Sequence, residues 1–168
     1  MEVATDRPAH RLTLPLVVLG VLLVAALVVG GLLWADLARA AAEDRGRADA
    51  LRVARQFTVN FTTIDHRHAD RDISRVSRLA SGDFGQEYEN AAKSVRDVVK
   101  ENETVSTGQV LEAGLVDFDG DDARALVVAD SDLENVAMDQ SEQRHYRLQL
   151  DLAREGGAWR VVDVVFVQ

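Results

Sequence analysis

The 168-residue chain contains no cysteine. That excludes a disulfide framework and a thiolate metal site. Basic residues are also scarce, 19 against 28 acidic ones, for a net charge of −9. Only Arg7, Arg11, Glu2 and Asp6 lie before residue 36, and their charges cancel, so residues 36–168 carry all of the excess. A nucleic-acid partner needs a basic stripe, which this composition does not offer, and the same deficit disfavours adhesion to anionic lipid. Only four histidines are present, His10, His66, His68 and His145.

What the chain does have is one long apolar run. Residues 12–35, LTLPLVVLGVLLVAALVVGGLLWA, contain no charge. As a helix the run extends about 36 Å, enough to span a hydrocarbon core of about 30 Å. Pro15 stands in the first turn, where a missing N–H costs little, and Trp34 at the far end suits an interface. Ala38-Arg39-Ala40 offers a signal-peptidase pattern, but the run exceeds the usual 7–15 residues of a signal-peptide core. The expectation is an uncleaved anchor over 12–35, a cytoplasmic tail over 1–11, and an extracytoplasmic remainder. Flanking arginines do not set the orientation, and the short tail makes this the simpler arrangement.

Past the run, residues 36–61 are expected to continue as a juxtamembrane helix, with Leu51, Ala54, Phe57 and Phe61 on one stripe. Residues 62–168 form the domain. A second helix is expected over 69–81, with Gly82 as its C-cap. A third begins at Asp83, whose spacing to Gln86 fits a capping box. Phe84, Tyr88, Ala91, Val95 and Val98 supply its inner side, and Asn102 or Thr104 its end.

Beyond Val105 the period changes to two. Strands are expected over 105–118, 123–135, 144–154 and 159–167. In the third, Tyr146, Leu148, Leu150 and Leu152 alternate with His145, Arg147, Gln149 and Asp151. Turns fall at 117–122 and at Glu155-Gly156-Gly157. Helices first and hairpin-linked strands afterwards predict an α+β domain on an antiparallel sheet. Helices over one curved sheet resemble the cone-shaped fold of the nuclear transport factor and ketosteroid isomerase superfamily, a likeness of architecture only.

Several motifs compete for a function. In NFTTIDHRHADRD, residues 60–72, His66 and His68 stand two apart, a spacing that shares a side only in a strand. Zinc or iron needs three or four converging ligands. Asp65, Asp70 and Asp72 are better placed to cap the next helix and to pair with Arg67, Arg71 and Arg75. Asp83-Phe84-Gly85 matches a kinase tripeptide without a phosphate loop or two lobes around it. DFDGDD at 117–122 lacks the glycine and glutamate positions of a calcium loop, and a hairpin turn explains it. Asn60 and Asn102 begin N-glycosylation patterns, the first inside a helix.

Asp163 interrupts the apolar strand WRVVDVVFV on the side of Trp159, Val161, Val165 and Val167. On a concave face it would be placed like an isomerase base, with Tyr88 or Tyr146 as oxyanion donor. On the outer face it is a solvated carboxylate. Alternation alone leaves both open.

The layout as a whole resembles the mammalian-cell-entry (Mce)-associated membrane proteins of actinobacteria. The resemblance rests on the single anchor with its Ala-rich helix, on NFTTIDHRHADRDISRVSRLASGDF at 60–84, and on YRLQLDLAREGGAWRVVDVVFV at 146–167. It implies a non-enzymatic accessory or scaffold subunit of an Mce-type lipid import complex. Such a subunit is single-pass in the plasma membrane, with other transporter components as partners and self-association left open. It supplies no catalytic motif, so no catalytic, cofactor-binding or metal residue is assigned. His66 stands where the family block commonly has an aromatic such as Tyr. The family is also similar in architecture to periplasmic domains of type IV secretion assembly factors. An envelope or secretion-machine assembly factor is therefore the second reading, and a ketosteroid-isomerase-like enzyme or lipid-pocket protein the third.

Overall fold

A computed structural model describes residues 13–167. The chain divides into two compact units, one ending at Glu43 and the other beginning at Asp44. Helix α1 runs Thr13–Thr62. The expected tail over residues 1–11 and Leu12 lie outside the described residues, as do the side chains of Pro15 and many others before Trp34. Among the described residues no helix is long and apolar enough to cross a membrane. In the first unit Leu19, Leu22, Leu27, Leu32 and Trp34 are exposed, and Arg39 pairs with Asp36 one turn away.

In the second unit the elements follow the order β1 (Ile64–Asp65), a 3-10 turn (His66–His68), α2 (Ala69–Ser77), α3 (Gly82–Glu101), β2 (Val105–Phe118), β3 (Asp122–Glu134), β4 (Glu142–Glu155) and β5 (Ala158–Phe166). The strands form one antiparallel sheet in sequence order. The helices-then-hairpins reading is the architecture observed, and its four strands lie within two residues of their expected ends.

The last third of α1 supplies the ridge on which the sheet closes. Ala50, Val53, Ala54 and Phe57 recur every three to four residues and are all buried. They meet the inner face of β3, where Ala123, Ala125, Val127 and Ala129 alternate, and Leu148, Leu150 and Leu152 of β4. Small residues on the central strand let the helix approach closely. Phe57, Phe61, Phe84 and Tyr88 then interlock, with centroid distances of 5.6–6.4 Å. Phe118 and Trp159 close the other end at 5.9 Å, with the Arg47 guanidinium 4.7 Å from the Phe118 centroid.

α1 stops where its end meets β2. The Ser106 hydroxyl donates to the Thr62 carbonyl at 2.8 Å, replacing a lost helical partner. Gly108 lies so near that a Cβ there would sit 1.8 Å from Thr62 Oγ1 and 2.6 Å from its Cβ.

Three expectations about the helices need correction. α2 ends at Ser77, not residue 81, with Arg78 as C-cap. The next residues serve β5 instead: Ser81 N–H donates to the Val161 carbonyl at 2.9 Å, and Val161 N–H donates to the Leu79 carbonyl at 2.8 Å. Val161 is fully buried on an edge strand, so these backbone groups need partners that water cannot supply. Gly82 has φ of +59° but opens α3 and is not the C-cap of α2, and Ser81, not Asp83, is the N-cap. The inner stripe of α3 keeps Phe84, Tyr88 and Val95 but differs from the expectation at two positions. Ala92, Val95 and Val99 face in, whereas Ala91 and Val98 are exposed.

Candidate functional site

The opening motif resolves into a capped corner. Ile64 and Asp65 pair with Ser106 and Val105 of β2, so the chain leaves α1 as a two-residue strand that periodicity could not reveal. Asp65 caps the 3-10 turn by accepting from Arg67 N–H at 2.9 Å, and it also takes the Arg67 guanidinium. This hydrogen-bonded guanidinium holds the Asp65 carboxyl well below the usual carboxylate range. Asp72 is buried; it accepts from Asp65 N–H at 3.1 Å and pairs with Arg71 and Arg75 at 3.0 and 3.2 Å. Asp70 instead reaches α3, to Lys100 and Arg96, and these two partners lower its pKa. His66 donates its backbone N–H to Thr104, and His68 is exposed. Among the described residues no group of three or more His, Asp or Glu side chains is arranged to hold a metal.

Asp163 does not share a face with Trp159 and Val161. Asp151 pairs with Asp163, but Leu152 pairs with Val161, which leaves Val162 as an extra residue. This bulge shifts the alternation by one. Val161 and Val164 therefore face the core, and Asp163 is exposed on the outer side beside Asp151. Asp163 Oδ1 accepts from the Val164 N–H at 2.9 Å. Neither candidate oxyanion donor is placed beside it. Tyr88 packs on Phe61 and Phe84, where burial pushes its pKa up to about 12. Tyr146 pairs with Ala129 on the inner side, its hydroxyl 3.4 Å from Ser131 Oγ.

The DFDGDD segment is a self-bonded turn. Asp119 Oδ1 accepts from Asp122 N–H at 3.0 Å, and Gly120 takes φ of +104°. Beside it lies a depression of about 270 Å³ bordered by Asp117, Asp119, Asp122 and Asp151. Arg124 also lines it, bound to Asp151 by two hydrogen bonds of 2.7 and 3.0 Å. Asp83 and Phe84 are divided between roles: Asp83 is exposed in the first turn of α3, and Phe84 packs on Phe57. Asn60 lies within α1, bonded to Gln56, and Asn102 caps α3.

One pairing was not legible from sequence. Asp130 and His145 are cross-strand neighbours, with Nδ1 and Oδ1 2.7 Å apart. They are 15 residues apart in the chain, and only the β3–β4 register brings them together.

The comparisons with known proteins agree with this fold. The family described as "Uncharacterized protein Rv1363c/MT1408-like" matches residues 12–168. The uncharacterized protein Rv1363c of Mycobacterium tuberculosis is 30% identical over 128 residues, which cover 76% of this chain and 49% of that protein. The chain thus spans about half the length of that relative. Among solved structures, an IcmL-like type IV secretion system protein from Legionella pneumophila superposes with a TM-score of 0.60 at 15% identity, covering 72% of this chain and 91% of the other. The periplasmic domain of DotI gives 0.58 at 12%, covering 70% and 91%. CagV, a VirB8 homolog from Helicobacter pylori, gives 0.55 at 5%, covering 72% and 98%. At these identities the structural likeness is one of fold. The chain belongs to the Rv1363c/MT1408-like family, the actinobacterial Mce-associated group that its sequence resembles.

Proposed function

We propose that the chain is a non-enzymatic accessory or scaffold subunit of an Mce-type lipid import complex. It is held in the plasma membrane by one helix over residues 12–35, with its α+β domain outside the cytoplasm. The observation that carries the reading is the filled interior of the sheet. Phe57, Leu148, Leu150, Trp159 and Val161 occupy the side where a fold of this kind would hold a substrate, and Asp163 points away from it. An interior packed with apolar side chains supports a scaffold role over catalysis or lipid binding, which call for a cleft with convergent polar groups. The anchor rests on the uncharged 24-residue run and on the helix that begins at Thr13.

A second reading is an assembly factor for another envelope machine. It is favoured by the fold shared with the IcmL-like protein, DotI and CagV, whose descriptions name secretion systems or a periplasmic domain. One experiment separates the two. The full chain is extracted in mild detergent from an actinobacterial host, and the proteins that copurify are identified. Mce transporter components are expected. Recovery of secretion-machine subunits in their place supports the second reading, and lipid or steroid turnover by the purified chain would sink both.

A further inference from the structure

The second unit carries two surfaces of opposite sign. The first is a groove on the open side of α1. A depression of about 310 Å³ is bordered by Ala48, Arg52, Arg55, Gln56 and Val59. A second, of about 460 Å³, shares Gln56 and Val59 and continues between α1 and α2 to Arg75, Arg78 and Leu79. Together they follow α1 for about 18 Å, at roughly 1.5 Å per residue. Val59 and Leu79 form an apolar floor, with Gln56 and Asn60 beside it, and four arginines border it. Each arginine already has one contact: Arg52 with Asp49, Arg55 with the Ala113 carbonyl, Arg75 with Asp72 and Arg78 with Ser74. A guanidinium has five N–H donors, so each keeps donors to spare. In a chain of net charge −9 this concentration of cations stands out.

The second surface is the outer side of α3. Asp83, Glu87, Asn90, Ser94, Asp97 and Glu101 recur at spacings of four and three, and all are exposed. They form one stripe, opposite the buried side of Tyr88, Val95 and Val99. The cations of the same helix are drawn elsewhere, since Arg96 and Lys100 both pair with Asp70 of α2. Among the described residues, Asp83, Glu87, Asp97 and Glu101 form no ion pair. Val98, 53% exposed, lies along the border of the stripe.

We infer that the groove receives the α3 stripe of a second copy of this chain. Charge complementarity argues for this occupant: four carboxylates on a straight rod with an apolar border meet four guanidinium groups around an apolar floor. An isolated anion would use the arginines but leave Val59 and Leu79 uncovered. Groove and stripe are different surfaces, so the contact is head-to-tail, and it closes into a ring or extends as a row. Guanidinium–carboxylate pairs fix its register, and the apolar floor supplies burial.

The absence of cysteine makes the test direct. Full-length chains with different tags, one carrying Gln56→Cys and the other Ser94→Cys, are mixed in mild detergent and oxidised. A disulfide between the two tags is expected at ten or more times the yield of a control pair, Ser94→Cys with Glu155→Cys. Arg52→Glu with Arg78→Glu in the groove chain lowers the yield at least tenfold, and Asp97→Arg with Glu101→Arg in the partner restores it. Should the double reversal fail to fold, Arg78→Gln alone is expected to lower the yield about threefold. A yield equal to the control overturns the inference, as does one that charge reversal leaves unchanged. A monomeric mass by light scattering at the same concentration also overturns it.

Discussion

The Asp163 carboxylate accepts the backbone N–H of Val164 at 2.9 Å on the outermost strand of the sheet. On a free edge, an unpaired N–H is a template for another strand. Here the bulge at Val162 turns Asp163 outward, and its own side chain fills that vacancy. The carboxylate therefore caps a backbone donor at the sheet edge. Asp163→Asn keeps an acceptor oxygen at the same place. Its urea midpoint at neutral pH is expected to match the parent to within about 0.5 kcal/mol, as for other exposed substitutions. Stabilisation above about 1 kcal/mol would instead mean a buried, desolvated acid.

Gly108→Ala tests the closeness of α1 to β2. The added methyl meets Thr62 Oγ1 at 1.8 Å, its Cβ at 2.6 Å and its backbone carbon at 3.1 Å. Thr62 is itself buried and bonded to the Thr58 carbonyl. Neither side yields freely, so a loss of about 1–3 kcal/mol is expected from urea unfolding. Thr62→Ser does not rescue the variant, because Cβ and backbone still collide. Full rescue would show that the methyl of Thr62 was the obstacle and that the backbones have room to part.

The strands and the α+β order were legible because turn residues and period-two alternation are local properties. Leu148, Leu150 and Leu152 show their buried face in any register. The bulge at Val162 was not legible, because an extra residue is defined by its partner on β4, and WRVVDVVFV is apolar on both sides. The early end of α2 was hidden for a related reason. Ala80 and Ser81 suit a helix, but the unpaired backbone of Val161 draws them to the sheet. In the histidine motif, the capping role of Asp65 and the ion pairs of Asp65 and Asp72 follow from short spacings and were readable. The Asp70 pairs with Arg96 and Lys100 cross to another helix and were not.

Phe57 anchors the interior on which the scaffold reading depends. Its ring is fully buried, stacked on Phe61 at 5.6 Å and edge-on to Phe84 at 5.7 Å. Phe57→Ala is expected to cost about 3–5 kcal/mol, by lost burial and by the void left behind. Chemical denaturation of the two proteins measures it. A cost below about 1 kcal/mol would mean that the interior is loose enough to admit a ligand.

Tyr88 gives an alkaline signature. Burial raises its pKa from 10 to about 12, because the phenolate would lose its water. The folded value lies above the unfolded one. This contribution to stability is therefore complete below pH 10 and is lost as pH rises from 10 through 12. Tyrosinate absorbance is expected to include a late component near pH 12, and Tyr88→Phe should remove that component. A titration complete by pH 11 in a chain still folded would contradict the packing of this ring.

The acid limb belongs to the corner that opens the domain. Asp65 is held below its ordinary value of 3.8 chiefly by the hydrogen-bonded guanidinium of Arg67, and then by the Arg67 backbone N–H. Asp70 is lowered in the same direction by Lys100 and Arg96. For a carboxylate depressed in the folded state, the unfolded chain binds the proton first. The stabilisation is whole above the ordinary value and fades as pH falls through the depressed one. Stability is therefore expected to decline below about pH 4, with these two acids contributing to the slope. Asp65→Asn preserves an acceptor for the Arg67 N–H but removes the charge. It should be less stable than the parent at pH 7, and the urea midpoints of the two should converge toward pH 2. Parallel curves over that whole range would show that the Arg67 pair is screened by water and contributes nothing, leaving the neutral cap alone to hold the turn.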